Sequence, residues 1–147
     1  MKTMRIKIEN TEHHLREHDI KPSVQRIRIF ETLIQSTEHP TVDMIFQTLS
    51  GEIPTLSKTT VYNTLKLFQQ KGLVLVVNIE DNETRYDADT SFHGHFKCLS
   101  CGRVYDFPIS EDETKLESLK DFQIAESHYY VKGICNNCIN KQNNNKQ

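Results

Sequence analysis

Four cysteines fall into two pairs of identical spacing, Cys98-Leu-Ser-Cys101 and Cys135-Asn-Asn-Cys138. A C-x-x-C turn presents two thiolates to one tetrahedral ion, and two such pairs complete a closed four-thiolate shell. Gly102, directly after the first pair, suits the tight turn of a knuckle. A closed shell leaves no coordination position for a substrate, so the spacing predicts a structural Zn²⁺ held by Cys98, Cys101, Cys135 and Cys138. The competing chemistry, a thioredoxin-like dithiol, needs one C-x-x-C at the head of a helix after a strand, and two matched pairs do not fit it.

A second set of candidate ligands surrounds the first knuckle. His93-Gly94-His95 precedes it and Asp106 follows it. In a strand, His93 and His95 point to one face, and a hairpin through the knuckle can set Asp106 opposite them. Asp87 lies a few residues upstream, and His39 much further back. Nitrogen and carboxylate donors without thiolate suit Fe²⁺, Mn²⁺ or Zn²⁺, and two carboxylates favour the harder Fe²⁺ and Mn²⁺. Read without context, the H-x-H is equally two surface histidines on a polar strand, and His39 a plain loop residue. His128 reads as a surface strand residue or as part of an additional metal site.

These residues must be positioned by the elements around them. Asn10 to His18 is helix-like but polar, with only Leu15 to bury. Ser23 can cap a second helix in which Val24, Ile27, Phe30, Leu33 and Ile34 recur at helical spacing. A third helix begins at Thr41, with Ile45, Phe46 and Leu49 as its inner face. Ser57 caps a fourth, whose Val61, Leu65 and Phe68 form an i, i+4, i+7 stripe ending where Gly72 suits a left-handed cap. A β-rich run, Leu73 to Ile79, turns at Asp81-Asn82 and returns around Arg85-Tyr86. Helices followed by a hairpin is the order of a winged helix-turn-helix. Phe92 to Phe107 predicts two strands around the first knuckle. Ser110 and Glu113 form a capping box that predicts a helix to about Lys120. Phe122 to Ile134 alternates as strands, and the Gln/Asn/Lys-rich tail predicts disorder. The expected organisation is α+β: a winged helix-turn-helix domain over 1–86, a hinge over 87–92, an α/β dimerisation domain with the Cys₄ site over 93–139, and a tail over 140–147.

The net charge of −2 does not advertise nucleic-acid binding, but it hides an imbalance. From Ile53 through Ile79 there is no Asp or Glu, while Lys58, Lys66 and Lys71 are present. That local excess fits a DNA reader, and equally a solvated helix face. On the fourth helix the core stripe leaves Thr59, Tyr62, Asn63, Lys66 and Gln70 outward, where Tyr62 can meet a base or phosphate or pack on the wing. Lys21 and Arg26 can add phosphate contacts. No apolar run is long enough to span a bilayer and no signal-peptide core is present, so a cytoplasmic protein without a membrane partner is expected.

Together these motifs resemble the ferric uptake regulator (Fur) family, and within it the peroxide-sensing PerR branch. The matching pieces are His39-Pro40-Thr41, Ser57-x-x-Thr60-Val61-Tyr62-Asn63, Arg85-Tyr86-Asp87, His93-x-His95-x-x-Cys98-x-x-Cys101-Gly102, Asp106-Phe107 and Gly133-Ile134-Cys135-x-x-Cys138. The resemblance covers all but the first few residues and the tail. It implies a homodimeric repressor, not an enzyme, that binds a palindromic operator in double-stranded DNA. It assigns His39, Asp87, His93, His95 and Asp106 to a regulatory Fe²⁺ or Mn²⁺, with His39 and His93 at the positions oxidised in the branch. It adds Ser57 and Thr60 to the DNA-facing helix. Asp106 separates the branch from iron-sensing relatives, which typically carry Glu there. Three departures stand out: Ser23-Val24-Gln25-Arg26 replaces the usual Thr-Pro-Gln-Arg, Lys58-Thr59 replaces small residues, and Gly94 replaces something larger. The alternative within the family is an iron- or zinc-responsive regulator of metal supply. Outside it stand a metalloenzyme, which lacks an evident general base, and a thiol oxidoreductase, which stable zinc would exclude.

Overall fold

A computed structural model describes residues 10–80, 82–110 and 112–145. The chain divides into two compact units, one ending at Thr90 and the other starting at Ser91.

The first unit contains α1 (Thr11–Glu17), α2 (Val24–Gln35), α3 (Val42–Leu49) and α4 (Lys58–Gln70), followed by β1 (Leu75–Val77) and β2 (Arg85–Asp87). Each helix starts where a polar side chain accepts from an otherwise orphaned amide. Asn10 takes the His13 N–H at 3.0 Å, Ser23 that of Arg26 at 3.2 Å, Thr41 that of Met44 at 3.2 Å, and Ser57 that of Thr60 at 3.0 Å. The helices bury one core, centred on Leu15, Ile29, Phe30, Ile45, Leu49, Val61, Leu65 and Phe68. Phe30 meets Phe68 edge to face at 5.8 Å, a favoured aromatic geometry. Val24, counted in the apolar stripe of α2, is 71 % exposed instead; it is the first helical residue, and the buried face is set by Ile29, Phe30 and Leu33.

α4 ends as its glycine predicts. Gly72 adopts φ +74°, and the Leu73 amide reaches back to the Phe68 carbonyl at 2.8 Å. This cap delivers Leu73 and Val74 into the core. The wing is shorter than the apolar run: β1 and β2 pair antiparallel over three residues each, with Leu75 opposite Asp87. Asp81 lies outside the described residues. On α1, the half-buried His14 stacks on Phe30 at 5.4 Å, and burial, then neighbouring His18, pulls its imidazole below the ordinary value.

The second unit is built on β3 (Gly94–Cys98), β4 (Val104–Phe107) and β5 (Tyr130–Gly133), in the order β4-β3-β5, followed by α5 (Asn136–Asn144). β3 pairs antiparallel with β4 and parallel with β5. The sequence reading needs correction at three places. The capping box forms, since the Ser110 amide donates to Glu113 Oε2 at 3.0 Å, but only two 3-10 turns follow, at Asp112–Thr114 and Glu117–Leu119. Leu116 is exposed there, and a helix without an apolar face to bury is marginal at this length. Of the alternating run 122–134 only Tyr130–Gly133 is a strand; Phe122 and Ile124 are exposed and unpaired with the sheet. The polar tail is helical through Asn144, because the second knuckle supplies the costly first turn: Cys135 begins the helix, its carbonyl accepts from Ile139 at 3.0 Å, and Cys138 is buried.

Candidate metal centres and the outer face of helix α4

Sheet topology brings the two knuckles together. Cys98 ends β3 in register with Gly133 at the end of the parallel β5, so Cys135 arrives two residues later at the same edge. Gly102 takes φ +78° as the first knuckle turns, and its amide donates to the Cys98 carbonyl at 3.0 Å. The four sulfurs lie within 4.8 Å of one another, with Cys98 to Cys138 at 3.8 Å and Cys101 to Cys135 at 3.9 Å. A tetrahedron with Zn–S bonds of about 2.3 Å has S···S edges of about 3.8 Å. The spacing fits zinc and is far longer than a disulfide bond.

Electrostatics agrees with that fit. The Cys98 sulfur accepts from the backbone amides of Cys101 at 3.4 Å and Cys135 at 3.3 Å, and these push its thiol down to about 6. Cys135 is lowered chiefly by the neighbouring Tyr105 hydroxyl. Cys138 is pushed up to about 11, first by Cys135. Four sulfurs this close cannot all be anionic without a cation among them, and Zn²⁺ supplies that charge. Phe96 and Tyr105, opposite each other on β3 and β4, pack against the cluster. The cysteine spacing gave no hint of Tyr105.

The second unit also gathers three of the other predicted ligands. His95 stands directly opposite Asp106 in the β3–β4 ladder. Asp106 Oδ1 lies 3.4 Å from His93 Nε2 and 3.5 Å from His95 Nε2. His93 Nδ1 is 2.7 Å from the Ser91 carbonyl, which can only accept, so Nδ1 carries a proton and Nε2 is the nitrogen turned toward Asp106. A cation could be shared by that carboxylate oxygen and the two imidazole nitrogens. Gly94 fits because Phe107, its cross-strand partner, fills the space beside it; a Cβ there would come within 2.2 Å of the ring.

In the first unit, His39 Nε2 lies 3.0 Å from Asp87 Oδ2, and both side chains are buried. Asp87 Oδ1 is engaged by the Asp89 amide at 2.9 Å, which orients the carboxylate. His39 has φ +54°, a left-handed conformation that a non-glycine residue keeps only when its surroundings impose it. Arg85 does so: Nη1 donates to the carbonyls of Glu38 at 2.8 Å and His39 at 3.2 Å, while Nε pairs with Glu80. The Tyr86 amide adds a bond to the Pro40 carbonyl at 3.1 Å. The loop bearing His39 is thus stapled to the strand bearing Asp87. In the sequence, Arg85 stands out only as part of the Arg85-Tyr86-Asp87 motif.

The outer face of α4 matches the expectation from its stripe. Thr59, Tyr62, Asn63, Lys66 and Gln70 are exposed, Tyr62 by 51 %. Ser57 and Thr60 are partly committed to the cap, their hydroxyls 2.9 Å apart. Lys58 is paired with Asp43 at 3.0 Å. Arg26 Nη1 donates to the Lys21 carbonyl at 2.8 Å, drawing those two residues together. His128 pairs instead with Glu126 at 3.1 Å. No helix among the described residues is long and apolar enough to cross a membrane.

Comparison with known proteins gives a consistent answer. The model of the ferric uptake regulator family matches residues 17–132. The peroxide-responsive repressor PerR of Staphylococcus aureus (strain Mu50) is 34 % identical over 148 residues, covering 94 % of this chain and all of that protein. Among solved structures, the ferric uptake regulator of Helicobacter pylori shares the fold at a TM-score of 0.73 and 20 % identity, over 93 % of this chain and 97 % of that one. PerR of Streptococcus pyogenes, described as a peroxide sensor and gene regulator, is 30 % identical with a TM-score of 0.52, over 93 % and 98 %.

Proposed function

From the premise that the chain belongs to the ferric uptake regulator family, we propose that it is a metal-dependent transcriptional repressor that binds a palindromic operator as a homodimer and releases it in response to peroxide. The observation that carries this reading is the arrival of regulatory ligands in two half-sets, His39 with Asp87 ahead of Thr90, and His93, His95 and Asp106 after Ser91. One Fe²⁺ or Mn²⁺ taken by all five ties the DNA-reading unit to the second unit in one orientation. Binding energy then becomes a population shift toward the DNA-competent dimer. The cytoplasm, where the DNA is, is where such a repressor works.

The residues divide the work. Thr59, Tyr62, Asn63 and Lys66 meet base edges and phosphates from α4, with Ser57 and Thr60 at its start and Lys21 and Arg26 on the flanking backbone. One helix reads few base pairs, so two copies at fixed spacing supply the specificity. Cys98, Cys101, Cys135 and Cys138 hold zinc in a saturated shell that is slow to oxidise. His39, Asp87, His93, His95 and Asp106 would hold the ion. Fe²⁺ there would supply the reductant that Mn²⁺ would not, with H₂O₂ as the overall two-electron oxidant. His39 and His93 would be the imidazoles to take up oxygen, and an oxidised imidazole would be a poor ligand, so the two half-sets would part and DNA would be released. The role is regulatory and no turnover of a substrate is assigned.

The test loads the zinc-bound protein with Fe²⁺ or Mn²⁺, adds H₂O₂, and follows operator binding and peptide masses together. Peroxide sensing requires oxygen on a peptide carrying His39 or His93, with iron only, together with lost DNA binding. Unmodified peptides and retained binding leave an iron- or zinc-supply regulator as the function.

A further inference from the structure

Outside the sites described, one cluster of imidazoles has open nitrogens. His14 and His18 stand one turn apart on α1, with ring centroids 4.6 Å apart. His18, the residue that caps the helix, places Nδ1 2.9 Å from the His14 carbonyl. A carbonyl only accepts, so His18 Nδ1 carries a proton and Nε2 is the nitrogen left for a ligand. A ligand histidine commonly donates its second nitrogen to a carbonyl in this way, which fixes both tautomer and ring orientation. No hydrogen bond or ion pair to either ring nitrogen of His14 occurs among the described residues. Its ring is held against Phe30 at 5.4 Å, and burial, then His18, lowers its basicity.

The neighbours leave the pair available. Glu17 pairs with His13 at 2.9 Å while still bearing electrostatically on His14, and Arg16 pairs with Glu12 at 2.8 Å. Two imidazoles at i and i+4 lie on one helical face, a spacing that suits a bidentate nitrogen donor. Nitrogen donors without carboxylate favour Zn²⁺, Ni²⁺ and Cu²⁺ over Mn²⁺ and Fe²⁺. We propose that His14 and His18 form a second, independent binding site for a late first-row divalent cation on α1, its remaining positions filled by water. The site needs neither the thiolate shell nor the regulatory ligands. Because α1 packs on α2 through Leu15 and Phe30, an ion there fastens the edge of the DNA-reading unit.

Full-length zinc-loaded protein labelled on its histidines is titrated with Zn²⁺, and the imidazole carbon–proton signals of His13, His14 and His18 are followed by NMR. The expected result is a joint, saturating shift of His14 and His18 with one equivalent beyond the one that shifts His39, His93 and His95, while His13 on the same helix moves little. In His14→Gln the His18 response disappears, and in His18→Gln the His14 response disappears; circular dichroism verifies that each variant is folded. An unchanged His18 response in His14→Gln, no response of either ring, or movement of His13 alone overturns the proposal. Failure of peroxide sensing leaves these readings untouched, so the two ideas fall separately.

Discussion

The ring of Phe107 occupies the volume that a side chain at Gly94 would need, its nearest atom 2.2 Å from an ideal Cβ. The two face each other across β3 and β4, in the rung next to His95 and Asp106. Glycine between the two histidines is therefore the counterpart of an aromatic on the partner strand rather than a loosening of the ligand strand. Gly94→Ala should destabilise the protein by about 1–3 kcal/mol, the range for overpacking. Added to Phe107→Ala it should cost markedly less. Additive losses in thermal melts of the four-member cycle would show that the two positions do not compete for space.

Removing the zinc should cost the second unit its structure. Cys138→Ser leaves three thiolates, and the expected outcome is loss of one equivalent of zinc per chain by atomic absorption, with collapse of amide dispersion for residues after Ser91. Exhaustive chelation of the wild type should reproduce it. The helices of the first unit, whose core contains no cysteine, should keep their signals.

Arg85 should matter beyond its charge. Its guanidinium grips the carbonyls of Glu38 and His39 from 2.8 and 3.2 Å. Arg85→Ala should lower stability by about 1.5–3 kcal/mol, the range for hydrogen bonds from charged groups. Arg85→Lys should recover part of the stability, but one ammonium cannot reproduce the fork. Operator affinity at saturating Mn²⁺, measured by fluorescence anisotropy, should fall in both variants. Retained affinity would separate the loop's conformation from regulation.

His39→Asn separates ligand chemistry from backbone strain, because asparagine tolerates the left-handed region that His39 occupies at φ +54°. Stability in denaturant titrations should change by under about 1 kcal/mol. Metal-dependent operator affinity should nevertheless drop at least tenfold. Equal affinity for wild type and variant would remove His39 from the regulatory set.

Lys66 is exposed on α4 and its removal should be read through salt. Lys66→Ala should weaken binding to all sequences alike and reduce the slope of log affinity against log salt by about 1. A loss confined to the specific operator would instead make Lys66 a base reader.

What could be read in advance was set by short-range rules. Ser23 and Ser57 announce helix starts because a cap acts over three residues, and both accept the expected amide; Thr41, where the third helix was expected to begin, caps it in the same way. The C-x-x-C pairs and the H-x-H fix ligand geometry within a few bonds, and strand pairing then sets Asp106 opposite His95. What escaped depends on distant partners. Arg85 reaches Glu38 across 47 residues, and no local pattern encodes that. Phe122 and Ile124 alternate with polar neighbours as strand residues do, yet find no strand beside them. The polarity of the tail hides its helix, which begins on a knuckle rather than on an apolar face.

The parallel pairing of β3 with β5 imposes an order on biosynthesis. A growing polypeptide can shape its first four helices and wing as they leave the ribosome, but its thiolate shell stays half-built until Cys138, 40 positions beyond Cys98, emerges. Truncation between the knuckles leaves two of the four thiolates, too few to close the shell.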